Sequence, residues 1–140
     1  METGQVNERF HAEKEMVMET LFVIGAGTMG GGIAQVAALH GFTVHLYDIK
    51  QEFLDRGLKG IAGAWDRLVA CGKMAAEDRD AALPRIIGTL DMRDAAKADV
   101  VIEAAVEDLD VKRSIFSKLS GIVSPGCILA TNTSSLSVTA

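Results

Sequence analysis

Gly25, Gly27 and Gly30 stand at the spacing Gly-x-Gly-x-x-Gly, within the run Leu-Phe-Val-Ile-Gly-Ala-Gly-Thr-Met-Gly-Gly-Gly of residues 21–32. Glycines so spaced behind an apolar run are what a pyrophosphate requires of a backbone. Gly25 turns the chain sharply off a strand, and Gly27 puts no side chain between backbone and phosphate. Gly30 lets the next helix pack close. Ala26, Thr28 and Met29 complete the turn, and the unpaired N–H groups of the helix N-terminus add the positive end of a dipole. Asp48 follows about 20 residues beyond the glycines, where a carboxylate accepts hydrogen bonds from the ribose hydroxyls of an adenosine. The same charge repels a 2′-phosphate, so the expected cofactor is NAD and not NADP.

Two further polar segments carry candidate chemistry. Glu103-Ala104-Ala105-Val106-Glu107 offers small residues past which a cofactor can run closely. Thr131-Asn132-Thr133-Ser134-Ser135 has two readings: a polar wall for a nicotinamide or a substrate oxygen, or the cap of a following helix. Glu103 and Glu107 also fit the ordinary preference of acids for a helix N-terminus. Lys112, one turn into that helix, is by default solvated. His11, His40 and His45 show no ligand-like spacing, and no metal centre is expected.

The elements that would position these residues are legible in the hydrophobic pattern. Residues 21–24 are continuously apolar, as in a strand buried on both faces. Residues 33–40 form helix and stop at Gly41, and 42–47 read as a second strand. Phe53, Leu54, Leu58, Ile61, Trp65, Leu68 and Val69 make a helical stripe that ends at Cys71-Gly72-Lys73. A shorter helix over 75–83 stops at Pro84. This excursion is long for a crossover and is expected to project as a hairpin beyond the sheet. Strands follow at 86–90, 99–103 and 127–130, with an amphipathic helix over 108–120 carried by Leu109, Ile115, Phe116 and Leu119. Alternating strands and helices imply an α/β fold, a Rossmann-type doubly wound, mostly parallel sheet with a helical hairpin inserted after the second strand. The expected strand order is 3-2-1-4-5, with a ligand crevice over the C-terminal ends of strands one and four.

Composition sets the bounds. The 140 residues are 49% hydrophobic and 24% charged, values of an ordinary globular domain. Residues 1–19 carry five glutamates and little periodicity, a polar extension with at most a loose helix over 8–18, so the folded unit is placed at 20–140. A net charge of −5 without a basic cluster argues against nucleic acid and anionic membrane as partners. No apolar run reaches a membrane span and no signal-peptide pattern opens the chain. Cys71 and Cys127, far apart, read as reduced thiols of a cytoplasmic protein.

Taken in order, Gly25 to Gln35, Tyr47-Asp48, Val101 to Glu107 and Thr131 to Leu136 resemble the N-terminal NAD-binding domain of the 3-hydroxyacyl-CoA dehydrogenase family. The likeness covers residues 20–140. It implies that Asp48 binds the adenosine ribose, that Ala105, Glu107 and Lys112 lie along the cofactor, and that Asn132 lines the nicotinamide pocket. Ser134 then reaches the substrate's 3-oxygen and the nicotinamide end. The family's hairpin touches coenzyme A through a serine and a lysine. The nearest counterparts are Ala64 and Lys73, so the serine contact is lost and Lys73 alone is carried over. The implied reaction is hydride transfer from C3 of a 3-hydroxyacyl-CoA to NAD, with an acyl-CoA substrate and a homodimer as the full-length assembly. The histidine base of that reaction, held by a glutamate, would fall after Ala140. The chain is therefore read as the cofactor-binding half of such an enzyme, inactive on its own. A different NAD-dependent hydroxyacid dehydrogenase and a free-standing NAD-binding module are the competing readings.

Overall fold

The computed structural model describes residues 19–104 and 108–131. Five strands, β1 (Thr20–Ile24), β2 (Thr43–Tyr47), β3 (Ile86–Thr89), β4 (Val100–Glu103) and β5 (Ile128–Thr131), form one sheet in the order β3-β2-β1-β4-β5. Every pairing is parallel. The helices are α1 (Thr28–Leu39), α2 (Gln51–Ala70), α3 (Ala76–Ala82) and α4 (Leu109–Ser120). The expected strand order and the parallel α/β architecture are borne out, with strand ends displaced by a residue or so.

Alternation along β1 explains why it stands at the centre. Leu21 and Val23 face one apolar layer, shared with Val44 and Leu46 of β2 and with Ala34, Ala37 and Ala38 of α1. Phe22 and Ile24 face the opposite layer, where they meet Val101 of β4 and Leu119 of α4. A central strand in a doubly wound sheet has both faces covered, hence its unbroken apolar run.

The hairpin departs from its expected position. Instead of projecting beyond the sheet, α2 lies over the α1 side and sends Leu54, Ile61 and Trp65 into that layer; Trp65 is completely buried. A stripe at helical spacing needs an apolar partner, and the alanines of α1 and Ala82 of α3 provide a flat one. Gly57 makes the approach possible. A Cβ there would come within 2.5 Å of the Ala26 carbonyl oxygen, so α2 sits directly against the glycine turn.

The opposite layer holds an element absent from the hydrophobic pattern. Met92–Lys97 forms a 3-10 segment between β3 and β4, capped by Asp91, whose side chain accepts the Arg93 N–H. It buries Ala95 against the second layer. In α4 the expected stripe holds at Ile115, Phe116 and Leu119, which pack into the second layer, and fails at Leu109, which is exposed at the helix start; Lys112, seven residues before Leu119, is buried instead. No helix among the described residues is long and apolar enough to cross a membrane.

Candidate functional site

The glycine turn is held between the first two strands. Gly25 has φ 108°, a conformation glycine alone adopts without strain, and its N–H donates to the Tyr47 carbonyl at 2.8 Å. Asp48, just past β2, reaches back: its Oδ2 accepts the Ala26 N–H at 2.9 Å while Oδ1 accepts the Ile49 N–H at 2.7 Å. Each carboxylate oxygen has a second acceptor position, so both remain competent toward ribose hydroxyls. The carboxylate thus ties the turn to β2 and presents negative charge beside it.

Gly27 forms the N-cap of α1 in extended backbone geometry (φ −72°, ψ −166°) without a capping side-chain bond, and the first turn holds no acid. The helix therefore opens with orphan N–H donors and a positive dipole end that no acid of its own first turn offsets. A Cβ on Gly27 would meet no atom within 4 Å, whereas one on Gly30 would overlap the Gly25 carbonyl oxygen. Gly30 is required by packing; Gly27 is not. Thr28 and Met29 are exposed on the first turn. This open cradle fits the phosphates of a dinucleotide.

Two depressions flank the turn. One, of about 450 Å³, runs from Gly25, Tyr47 and Asp48 to the α4 wall of Val111, Ser114 and Ile115, with Met92 from the 3-10 segment. Its size and its mixture of one carboxylate with apolar sides suit an adenosine. Burial, followed by the charges of Asp48 and Asp91, raises the Tyr47 phenol above its ordinary range, so the phenol keeps its proton. The other, about 470 Å³, lies between α1 and α2 and includes Gly27, Thr28, Arg56 and Gly57. The adenosine-sized cleft sits over the ends of β1 and β2 and is closed by α4, the helix that follows β4.

At the ends of β1, β4 and β5, register sets Ile24, Glu103 and Thr131 side by side. The three expected loops therefore start from adjacent positions. Here the default reading of Lys112 is overturned. It is 4% exposed, and its Nζ lies 2.6 Å from Glu103 Oε1 and 2.8 Å from Thr131 Oγ1. Thr131 Oγ1 in turn donates to Glu103 Oε1 at 2.8 Å. Glu103 is fully buried, a partner in an ion pair and not a solvated acid at a helix start.

Ala105, Glu107, Asn132 and Ser134 lie outside the described residues, as do His11 and the extension over residues 1–18. Lys73 is exposed in the link between α2 and α3. Helical rise places it roughly 20 Å along α2 from Gly57 and the turn. Ala64 lies half-buried on α2. His40 caps the C-terminal end of α1 and His45 is inside β2, both away from the turn's open side. Neither cysteine supplies a reactive thiolate to the cleft: Cys71 is exposed at the end of α2, and burial raises the Cys127 thiol. Met92, Gly57 and the Val111–Ser114–Ile115 wall went unread in the sequence. An i, i+3, i+4 spacing in 111–115 and the Asp91 cap signal are the marks that reveal them.

Comparison with known proteins agrees with this geometry. The family described as 3-hydroxyacyl-CoA dehydrogenase, NAD binding domain, matches residues 20–140. The chain is 48% identical over 123 residues to 3-hydroxyadipyl-CoA dehydrogenase of Escherichia coli, covering 88% of this chain and 26% of that protein. It is 44% identical over 123 residues to a 3-hydroxybutyryl-CoA dehydrogenase of Bradyrhizobium diazoefficiens, covering 88% and 42%. The crystal structure of (S)-3-hydroxybutyryl-CoA dehydrogenase from Ralstonia eutropha superposes with a TM-score of 0.84 at 41% identity, over 88% of this chain and 44% of that one. The chain thus spans less than half the length of these relatives. It belongs to the 3-hydroxyacyl-CoA dehydrogenase family, and residues 20–140 are its NAD-binding domain.

Proposed function

We propose that this chain is the cofactor-binding part of an enzyme that oxidises (S)-3-hydroxyacyl-CoA to 3-ketoacyl-CoA. The observation that carries the reading is the uncapped start of α1 at Gly27, open in front and flanked by Asp48. Bound NAD supplies the hydride acceptor. The turn Gly25, Ala26, Gly27, Thr28, Met29 and Gly30 holds its pyrophosphate, and Asp48 holds its adenosine ribose. Ala105, Glu107 and Asn132 line the rest of its path, and Lys112 stands beside it, buried against Glu103 and Thr131 at the ends of β4 and β5. Ser134 donates a hydrogen bond to the substrate's 3-oxygen, and Lys73 meets the coenzyme A portion. The hydroxyl proton lost as C3 is oxidised would pass to the histidine base that the family resemblance implies, a role for which neither His40 nor His45 is placed. A cytoplasmic location and a homodimeric full-length assembly complete the proposal.

The test is a chimera. The chain alone is expected to bind NADH without reducing acetoacetyl-CoA, because a general base contributes ~10²–10⁴-fold and substrate positioning contributes more. Exchanged for the matching N-terminal part of the Bradyrhizobium relative, it is expected to give a protein that reduces acetoacetyl-CoA with NADH. Ser134→Ala in the chimera should lower that rate. A folded chimera that binds NADH but shows no turnover contradicts the reading, as does turnover by the purified 140-residue chain.

A further inference from the structure

Two faces of α4 have different duties. Val111, Ser114 and Ile115 face the adenosine-sized cleft, opposite Asp48. Lys112 and Leu119 face the sheet and are buried. Nothing apolar at the helix start matches Leu119: Leu109 is exposed, and the described first turn is anchored instead by the Asp108 cap and by Lys112. A lysine taken out of water at that position requires a fixed counter-charge and fixed acceptors. Glu103 at the end of β4 supplies the charge, and the Thr131 hydroxyl at the end of β5 accepts from Lys112 Nζ while donating to Glu103. The hydroxyl is a hub beside the direct Lys112–Glu103 contact, accepting from the ammonium and donating to the carboxylate.

We infer that Lys112, Glu103 and Thr131 are positioning residues: a buried polar pin that seats α4 on the ends of β4 and β5 and thereby fixes the α4 wall of the cofactor cleft. All three separations in the triad lie below 3 Å, so a shift of α4 along the sheet lengthens charge-assisted hydrogen bonds whose strength depends on distance and direction. The wall moves with the helix, so the pin acts on the adenosine half of the ligand. The inference rests on the reading of this cleft as the adenosine end of an NAD site.

Thr131→Val removes the hub and no charge, and Thr131→Ser keeps the hydroxyl. Affinities of the 140-residue variants for NADH and for ADP-ribose, which lacks the nicotinamide, are measured where circular dichroism shows each fully folded. Thr131→Val is expected to weaken both ligands by the same factor, about fivefold, and Thr131→Ser to restore both. Lys112→Met is expected to act in the same sense, and the milder valine variant keeps the test readable if the methionine variant unfolds. Loss of NADH affinity with unchanged ADP-ribose affinity overturns the inference in favour of direct contact at the nicotinamide half. Lower stability with both affinities unchanged overturns it in favour of a purely structural pair. If the unmodified chain binds neither ligand, it is the cleft assignment that fails, and the inference falls with it.

Discussion

Gly27→Val is expected to abolish measurable NADH binding, at least a hundredfold loss of affinity, while the melting temperature stays within a few degrees. The two halves of that result have separate causes. Gly27 has extended backbone angles open to any L-residue, and a Cβ there meets no protein atom within 4 Å. Valine therefore fits the fold. The space it fills is that in front of the first N–H groups of α1, where the pyrophosphate must come within hydrogen-bond distance. Displacing a doubly charged group from those donors removes several charge-assisted bonds together, and a hundredfold corresponds to about 2.7 kcal/mol. Titration calorimetry beside a thermal melt checks both halves. Normal binding would mean that the dinucleotide does not use this turn.

Gly30→Ala is expected to do the reverse and strike the fold first. Its Cβ would overlap the Gly25 carbonyl group, and a backbone carbonyl at the end of the central strand cannot move aside freely. Forced overpacking of this kind costs about 3 kcal/mol or more, which for a domain of this size lowers the melting temperature by about 10 °C. A single methyl group at position 30 should thus be worse for stability than an isopropyl group at position 27. Chemical denaturation of the two variants ranks them. Equal stabilities would show that α1 does not approach the turn as closely as the geometry states.

The sheet order was legible because each step of the argument is local. Continuous apolar runs identify the strands, and right-handed crossovers together with the glycine fingerprint point to the observed order β3-β2-β1-β4-β5. The glycine turn was legible for the same reason, since its requirements lie within six residues. What escaped depends on register across the sheet. Glu103 and Thr131 become neighbours only because β4 and β5 pair in parallel with those residues opposite one another. Lys112 joins them only once α4 has docked. In sequence, Lys112 is one charged residue in a polar helix start, and nothing near it predicts burial. The hairpin was misplaced because the stripe from Leu54 to Trp65 reports that a face is buried, not what buries it. The segment Met92–Lys97 was missed because a two-turn 3-10 helix has too few residues to show a period.

The central claim is that the turn and Asp48 together form an NAD site, and the most direct test is calorimetric titration of the chain with NADH and with NADPH. Asp48 places its carboxylate against the Ala26 N–H, beside the cleft in which the adenosine ribose is proposed to lie. A 2′-phosphate there meets like charge at close range. NADH is expected to bind at least tenfold more tightly than NADPH, or about 1.4 kcal/mol, and Asp48→Ala to narrow that gap. Equal affinities for the two cofactors, or no binding of either, would contradict the account.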